Sequence, residues 1–215
     1  MQDGTNISDG TCSSSCLADV AGLVQRWAHE LDAAIEGDVL DLACGRGQNG
    51  LFVAQRDRQK QRNNRRVVLL DRNIQLAVTT TADLPELIAE ERVQHVEVDL
   101  ETEENPSPLP AETYGVVLAF RYLHRPLFPN LRASVKPGGL VLYETFTWEQ
   151  PSVGGRPNNP AFLLAPGELK ELFSSWEVLH FSEGVEEQGV RAGSGEVLRR
   201  AVSSIVCRKP VSSQR

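Results

Sequence analysis

Val39-Leu40-Asp41-Leu42-Ala43-Cys44-Gly45-Arg46-Gly47-Gln48-Asn49-Gly50 is the stretch on which the reading of this chain turns. Its apolar half suits a strand covered on both faces. Its glycines suit a turn that opens a helix and lets a ligand approach the backbone closely. Gly45-x-Gly47-x-x-Gly50 also satisfies the dinucleotide fingerprint, so the surrounding charges must narrow the ligand. A pyrophosphate-binding turn offers backbone N–H groups and a helix N-terminus to an anion, and a carboxylate at Asp41 opposes that use.

S-adenosylmethionine (SAM) carries a sulfonium, an ammonium and a carboxylate but no phosphate, so Asp41 favours it. Two further acids extend the pattern. Val67-Val68-Leu69-Leu70-Asp71 reads as a second parallel strand whose closing acid suits ribose hydroxyls. Val93-Gln94-His95-Val96-Glu97-Val98-Asp99-Leu100 reads as a third, with Asp99 suited to an adenine amine and the Leu100 N–H to a ring nitrogen. Three strand-end acids favour a cationic adenosine ligand.

On these residues the chain resembles the class I SAM-dependent methyltransferases. Asp41-x-Ala43-Cys44-Gly45-x-Gly47 matches the family's first motif, Asp71 its ribose-binding acid and Asp99 its adenine-contacting acid. Tyr114-Gly115-Val116-Val117-Leu118-Ala119-Phe120 resembles its fourth strand, and Lys136-Pro137-Gly138-Gly139 its turn into the fifth. A narrower likeness, to the tellurite-resistance-like branch, covers residues 17–208. It rests on Arg121-Tyr122-Leu123-His124-Arg125-Pro126-Leu127, on Tyr143-Glu144-Thr145-Phe146, and on the stretch from Gly155 to Leu169. The resemblance implies a Rossmann-like α/β fold with a seven-stranded, mostly parallel sheet, one antiparallel strand and helices on both faces. It implies SAM as cofactor, with S-adenosylhomocysteine (SAH) as product, and cofactor contacts from Asp41, Ala43, Gly45, Gly47, Asn49, Asp71, Asp99 and Leu100. Two departures stand out: Gly115 replaces the acid that usually opens the fourth strand, and residues 56–66 lengthen the link to the second.

At 215 residues and 40% hydrophobic, the chain suffices for one α/β domain, here expected at 16–208 between tails at 1–15 and 209–215. A net charge of −7 disfavours a nucleic-acid partner, because phosphate contacts need a cationic surface. No apolar stretch approaches the ~20 residues of a membrane span, and residues 1–8 lack a secretion signal, which makes the cytoplasm the expected location. Cys12, Cys16, Cys44 and Cys207 make no disulfide framework, and the Cys12/Cys16 pair reads as part of an unstructured leader. The basic run from Arg56 to Arg66 reads as a solvated helix end and loop rather than an anion-binding patch.

The periodicity predicts an amphipathic helix from Leu17 to Ile35 roofing the cofactor, and helices over Gln48–Arg56, Leu84–Glu91 and Pro126–Val135. Asn73 suits a helix cap, residues 101–112 an extended loop, and Pro166 the first turn of a helix reaching Ser174. Gly138-Gly139 marks a turn into the fifth strand. Thr147–Ala165, without a period, is placed to lid the site. Strands are expected at Glu177–Glu183 and Val197–Arg208, separated by the glycine-rich residues 184–196.

Methyl transfer from a sulfonium mainly requires alignment and exclusion of water, so the catalytic set is short. Ligands of open α/β sheets lie beyond the strand carboxyl ends, which brings Arg121, Tyr122 and His124 to the substrate side, with Arg125, Glu144 and Arg156 as further candidates. The arginines suit an anionic acceptor, and equally a structural pairing with Glu144 or Glu168. His124 suits a base or an orienting group, and Tyr122 a packing role as well. The Asn-Pro-Pro-Tyr element of amino methyltransferases is absent, and the histidines show no metal spacing. The leading expectation is methyl transfer to a small molecule, such as an oxyanion or a soft chalcogen nucleophile. A nicotinamide oxidoreductase and a non-catalytic SAM-binding protein are the alternatives.

Overall fold

Strands β1 (Asp38–Leu42), β2 (Val67–Asp71), β3 (Val93–Glu97), β4 (Tyr114–Phe120), β5 (Val135–Phe146), β6 (Glu177–Val190) and β7 (Val197–Arg208) form one sheet in the order β3-β2-β1-β4-β5-β7-β6. The computed structural model describes residues 19–62, 64–102, 109–190, 195 and 197–211. The expected tail at 1–15, the Cys12/Cys16 pair, Leu17, and Pro106 and Pro108 lie outside these. Strands β1 to β5 pair in parallel, and β7 runs antiparallel to both β5 and β6. This is the expected sheet, with β7 as its reversed strand.

Helices α1 (Gly22–Arg26), α2 (Ala28–Ala33), α3 (Gln48–Gln59), α4 (Gln75–Ala82) and α5 (Pro85–Ala89) cover one face. They bury Leu23, Leu31, Leu51, Ala77 and Leu87 against Val39, Leu69, Leu118 and Leu142. Helices α6 (Phe128–Ser134) and α7 (Glu168–Leu172) cover the other, where Phe128, Leu131 and Leu169 meet Leu40, Val117, Val141 and Tyr143. Strands β1, β2 and β4 are therefore covered on both sides, as their Val/Leu runs require.

Several local expectations change. The helix predicted over Leu17–Ile35 is broken at Trp27 into α1 and α2, where the Trp27 ring meets His180 of β6 at 6.0 Å. Asn73 caps nothing: its N–H donates to the Asp71 carboxylate at 2.8 Å, and α4 starts at Gln75 without a side-chain cap. The third strand stops at Glu97, short of Asp99. Gly138 and Gly139 lie inside β5 rather than before it. They form an irregularity between the Tyr114/Val135 and Val116/Leu140 pairs, held by mutual 2.9 Å backbone hydrogen bonds with Lys209. The predicted Pro126 helix begins as a 3-10 turn at Arg125–Leu127, and α7 starts after Pro166, at Glu168. β6 continues past Glu183 to Val190, where Glu186 and Glu187 face Arg200 and Arg199 of β7.

The basic run is exposed along most of its length, at Arg58, Gln59, Lys60, Gln61, Asn64 and Arg66, but part of it is built into the fold. Arg65 and Asp57, each 1% exposed, form a two-bond ion pair at 2.6 and 2.7 Å. Arg62 donates to the carbonyls of Leu31, Asp32 and Ala34, where cations suit the last turn of α2. Arg56, Arg58 and Arg66 pair with Asp32, Glu90 and Asp38. Gly115 has an equally local explanation. A Cβ there would lie 2.8 Å from the Ile35 carbonyl oxygen, so the approach of the α2–β1 link excludes the acid that the resemblance leads one to expect.

Candidate active site

The signature stretch folds as strand, turn and helix, with Ala43, Gly45 and Gly47 all at positive φ. The glycines differ in purpose. A Cβ at Gly47 would meet Leu69 at 2.9 Å and one at Gly50 would meet it at 2.6 Å, so both are small to let α3 approach β2. A Cβ at Gly45 would meet nothing within 4 Å: the turn is open there.

Asp41 is buried beneath the turn, where its carboxylate accepts the Gly50 N–H at 2.8 Å and completes the first turn of α3 in place of a side-chain cap. Burial pushes its carboxyl up to about 7. The Gly50 N–H works against this and the Asp71 charge adds to it. Asn49 is likewise engaged, accepting the Ala21 N–H at 2.9 Å and tying α1 to α3. Cys44 and Cys207 are buried free thiols.

Beyond the carboxyl ends of the strands lies a cavity of about 800 Å³. Of the expected cofactor residues, Ala43, Asp71, Asp99 and Leu100 line it, whereas Asp41, Gly45, Gly47 and Asn49 are not part of the lining. The Asp71 carboxylate accepts the Gly45 N–H at 2.9 Å as well as that of Asn73, so it holds the turn and the cavity wall together. Asp99 accepts the Glu101 N–H at 2.9 Å and no other hydrogen bond among the described residues.

On the substrate side the candidates separate. Arg121, Tyr122 and Arg156 line the cavity, and His124, Arg125 and Glu144 do not. Arg121 is held at φ +58 with its N–H on the Glu144 carbonyl at 2.8 Å, a strained backbone at a cavity edge. Tyr143 donates its hydroxyl to the Tyr122 carbonyl at 2.7 Å. The Tyr122 hydroxyl is itself buried without a partner among the described residues, and burial together with Glu101 and Asp99 raises its phenol. Arg125 has a structural role, with two bonds to Glu168 at 2.6 and 2.9 Å and others to the Ala161 and Leu163 carbonyls. Glu144 is 2% exposed and is paired with Arg200 at 2.9 Å.

Sequence reasoning assigned no role to Arg72, Glu101 and Phe146, nor, within the long segment, to Asn158, Asn159 and Phe162, all of which line the cavity. Arg72, Glu101 and Phe146 were signalled by their position at or near strand ends, and the other three by the aperiodic segment that holds them. That segment contains 3-10 turns at Gln150–Val153 and Pro160–Phe162 and is closed by a Thr147–Leu164 bridge. Gln150, 2% exposed, pins it: its side chain accepts the Ala201 N–H at 2.7 Å and donates to the Arg156 carbonyl at 3.4 Å. Among the described residues no cluster of three or more His, Cys, Asp or Glu could hold a metal ion, and no helix is long and apolar enough to cross a membrane.

No family model and no curated protein matches the chain. Solved structures do. TehB from Haemophilus influenzae superposes with a TM-score of 0.63 at 21% identity, over 88% of this chain and 62% of that one. This chain thus spans less than two thirds of the TehB length. A SAM-dependent methyltransferase from Aquifex aeolicus gives 0.56 at 17% identity, over 86% and 88% of the two chains. The [4+2]-cyclase SpnF gives 0.58 at 17%, over 88% and 80%. The architecture is the class I methyltransferase fold, and its presence in a cyclase means that the reaction must be argued from the site.

Proposed function

We propose that the protein is a SAM-dependent methyltransferase acting on a small, anionic acceptor. The observation that carries this reading is the charge around the glycine turn. Asp41 already occupies the start of α3, and Asp71, Asp99 and Glu101 line the adjoining cavity, a setting hostile to pyrophosphate and favourable to a phosphate-free cation.

The residues fit such a group. Gly45 leaves its approach open, and each Asp71 oxygen keeps a lone pair after accepting one backbone N–H. Asp71 would hold the ribose hydroxyls, Asp99 and the Leu100 backbone the base, and the Ala43–Gly45 turn the amino-acid end. Bound SAM supplies an electrophilic methyl group on sulfur. Arg121, Arg156 and Asn158 bind and orient the acceptor, while Phe146, Phe162 and the segment around them reduce its contact with water. The resemblance to TehB, a protein of the tellurite-resistance-like branch, supports a small acceptor.

Titration calorimetry with SAM, SAH and NAD tests the reading. Dissociation constants in the micromolar range, about −8 kcal/mol, are expected for the first two and none for NAD. Binding of NAD alone would overturn it.

A further inference from the structure

We infer that the acceptor is a carboxylic acid with an apolar body, bound through its carboxylate to Arg121 and Arg156 and through its body to Phe162 and Phe146. This rests on the methyltransferase reading and names the substrate of the same site.

The first argument is the division of charge along the cavity. Its acids, Asp71, Asp99 and Glu101, all come from the ends of β2 and β3, where Arg72 stands among them. The ends of β4 and β5 and the long segment contribute no acid to the lining. They contribute Arg121 and Arg156, whose guanidinium groups have no hydrogen-bond or ion-pair partner among the described residues. Their neighbours behave differently. Arg125 is consumed by Glu168, and Arg200 by Glu144 and Glu186. The guanidinium groups that tie these elements together are paired; of the three cavity arginines left over, Arg72 stands with the acids of β2 and β3, and Arg121 and Arg156 face the acceptor end. Paired forks of this kind suit a carboxylate.

The second argument is the lack of a proton acceptor at that end, among the described residues. Glu144 and Glu168 are turned into ion pairs, His124 does not line the cavity, and burial raises the Tyr122 phenol, which keeps it protonated and unable to accept a proton at neutral pH. A nucleophile must therefore arrive already deprotonated, as a carboxylate does at neutral pH. One carboxylate oxygen forms the new bond to the methyl carbon as the carbon–sulfur bond breaks. The bonding pair goes to sulfur, leaving a methyl ester and SAH, and no proton moves.

An apolar wall distinguishes this acid from an inorganic oxyanion. Phe162 is 43% exposed at the cavity wall, beside half-buried Phe146. An apolar body would cover this surface, a use that a bare oxyanion lacks.

The test is calorimetry on the SAH-saturated protein at pH 7, with phenylacetate, hexanoate, cinnamate, acetate, phenylacetamide and phosphate as probes. At least one of the three apolar acids should bind tenfold or more tightly than acetate. Arg156→Gln should weaken that acid more than tenfold with SAH affinity unchanged, and Phe162→Ala should remove its advantage over acetate. Three outcomes overturn the inference while leaving the methyltransferase reading intact: none of the three acids binds, phenylacetamide binds as tightly as phenylacetate, or phosphate alone binds. Failure of SAH itself to bind overturns the parent reading, and this inference with it.

Discussion

The Asp41 carboxylate accepts the Gly50 N–H at 2.8 Å, so the helix that opens the site carries an anion of the chain's own at its first turn. That bond needs an oxygen but not a charge, and an amide supplies the oxygen equally well.

Asp41→Asn should therefore stabilise the protein in a pH-dependent way. The carboxyl ionises near 3.8 in the unfolded chain and at about 7 when buried, so the folded state binds the extra proton between those values. The native charge costs nothing below the lower value, and its cost grows as pH rises to the upper one. Thermal melts should show the variant ahead of the parent by several degrees at pH 8 and by clearly less at pH 5. A gap independent of pH would show that the charge is not the cause.

Asp71 and Asp99 should respond differently to the same truncation. Asp71→Ala releases the Gly45 and Asn73 N–H groups, so it should cost about 1–3 kcal/mol in urea unfolding as well as SAM affinity. Asp99→Ala releases one exposed N–H and should leave unfolding nearly unchanged while SAM binding weakens by a similar amount. Equal stability losses would contradict this division of labour.

Removing one partner of the Arg65–Asp57 pair strands a buried charge. Asp57→Ala should destabilise by about 3–5 kcal/mol in urea, with SAM affinity of the folded protein unaltered.

Gln150→Ala should free the Arg156 segment without touching the nucleoside end. SAH affinity should hold, and acceptor-dependent SAH formation should fall about tenfold as the segment loses its anchor on Ala201. A parallel loss of SAH affinity would place Gln150 in the fold rather than in the site.

What was legible in the sequence follows from how its signals arise. Strands β1, β2 and β4 are buried on both faces, so their Val/Leu runs stand out, and the acid that closes β2, Asp71, falls at the cavity end. The outer half of β6 was hidden because its register is fixed by glutamates facing Arg199 and Arg200 across the ladder, a pattern that reads as loop in one dimension. Arg65 and Asp57, eight residues apart, gave no sign of burial, since their bond depends on the link between α3 and β2 folding back. At the cavity, Asp71 stands out in the sequence because it ends β2, and Asp99 because it closely follows β3. Asp41 and Asn49 were assigned to the ligand because sequence cannot tell a carboxylate facing a cavity from one facing the backbone beneath it.

β7 is the last of the described strands in chain order yet sits second from the sheet's edge, between β5 and β6. During synthesis β6 emerges with no neighbour to receive it, and five parallel strands must persist with one margin bare until residues 197–208 arrive. A nascent or truncated chain ending before them forfeits two strands at once, and Tyr143 and Leu142 then lie next to an unsealed border.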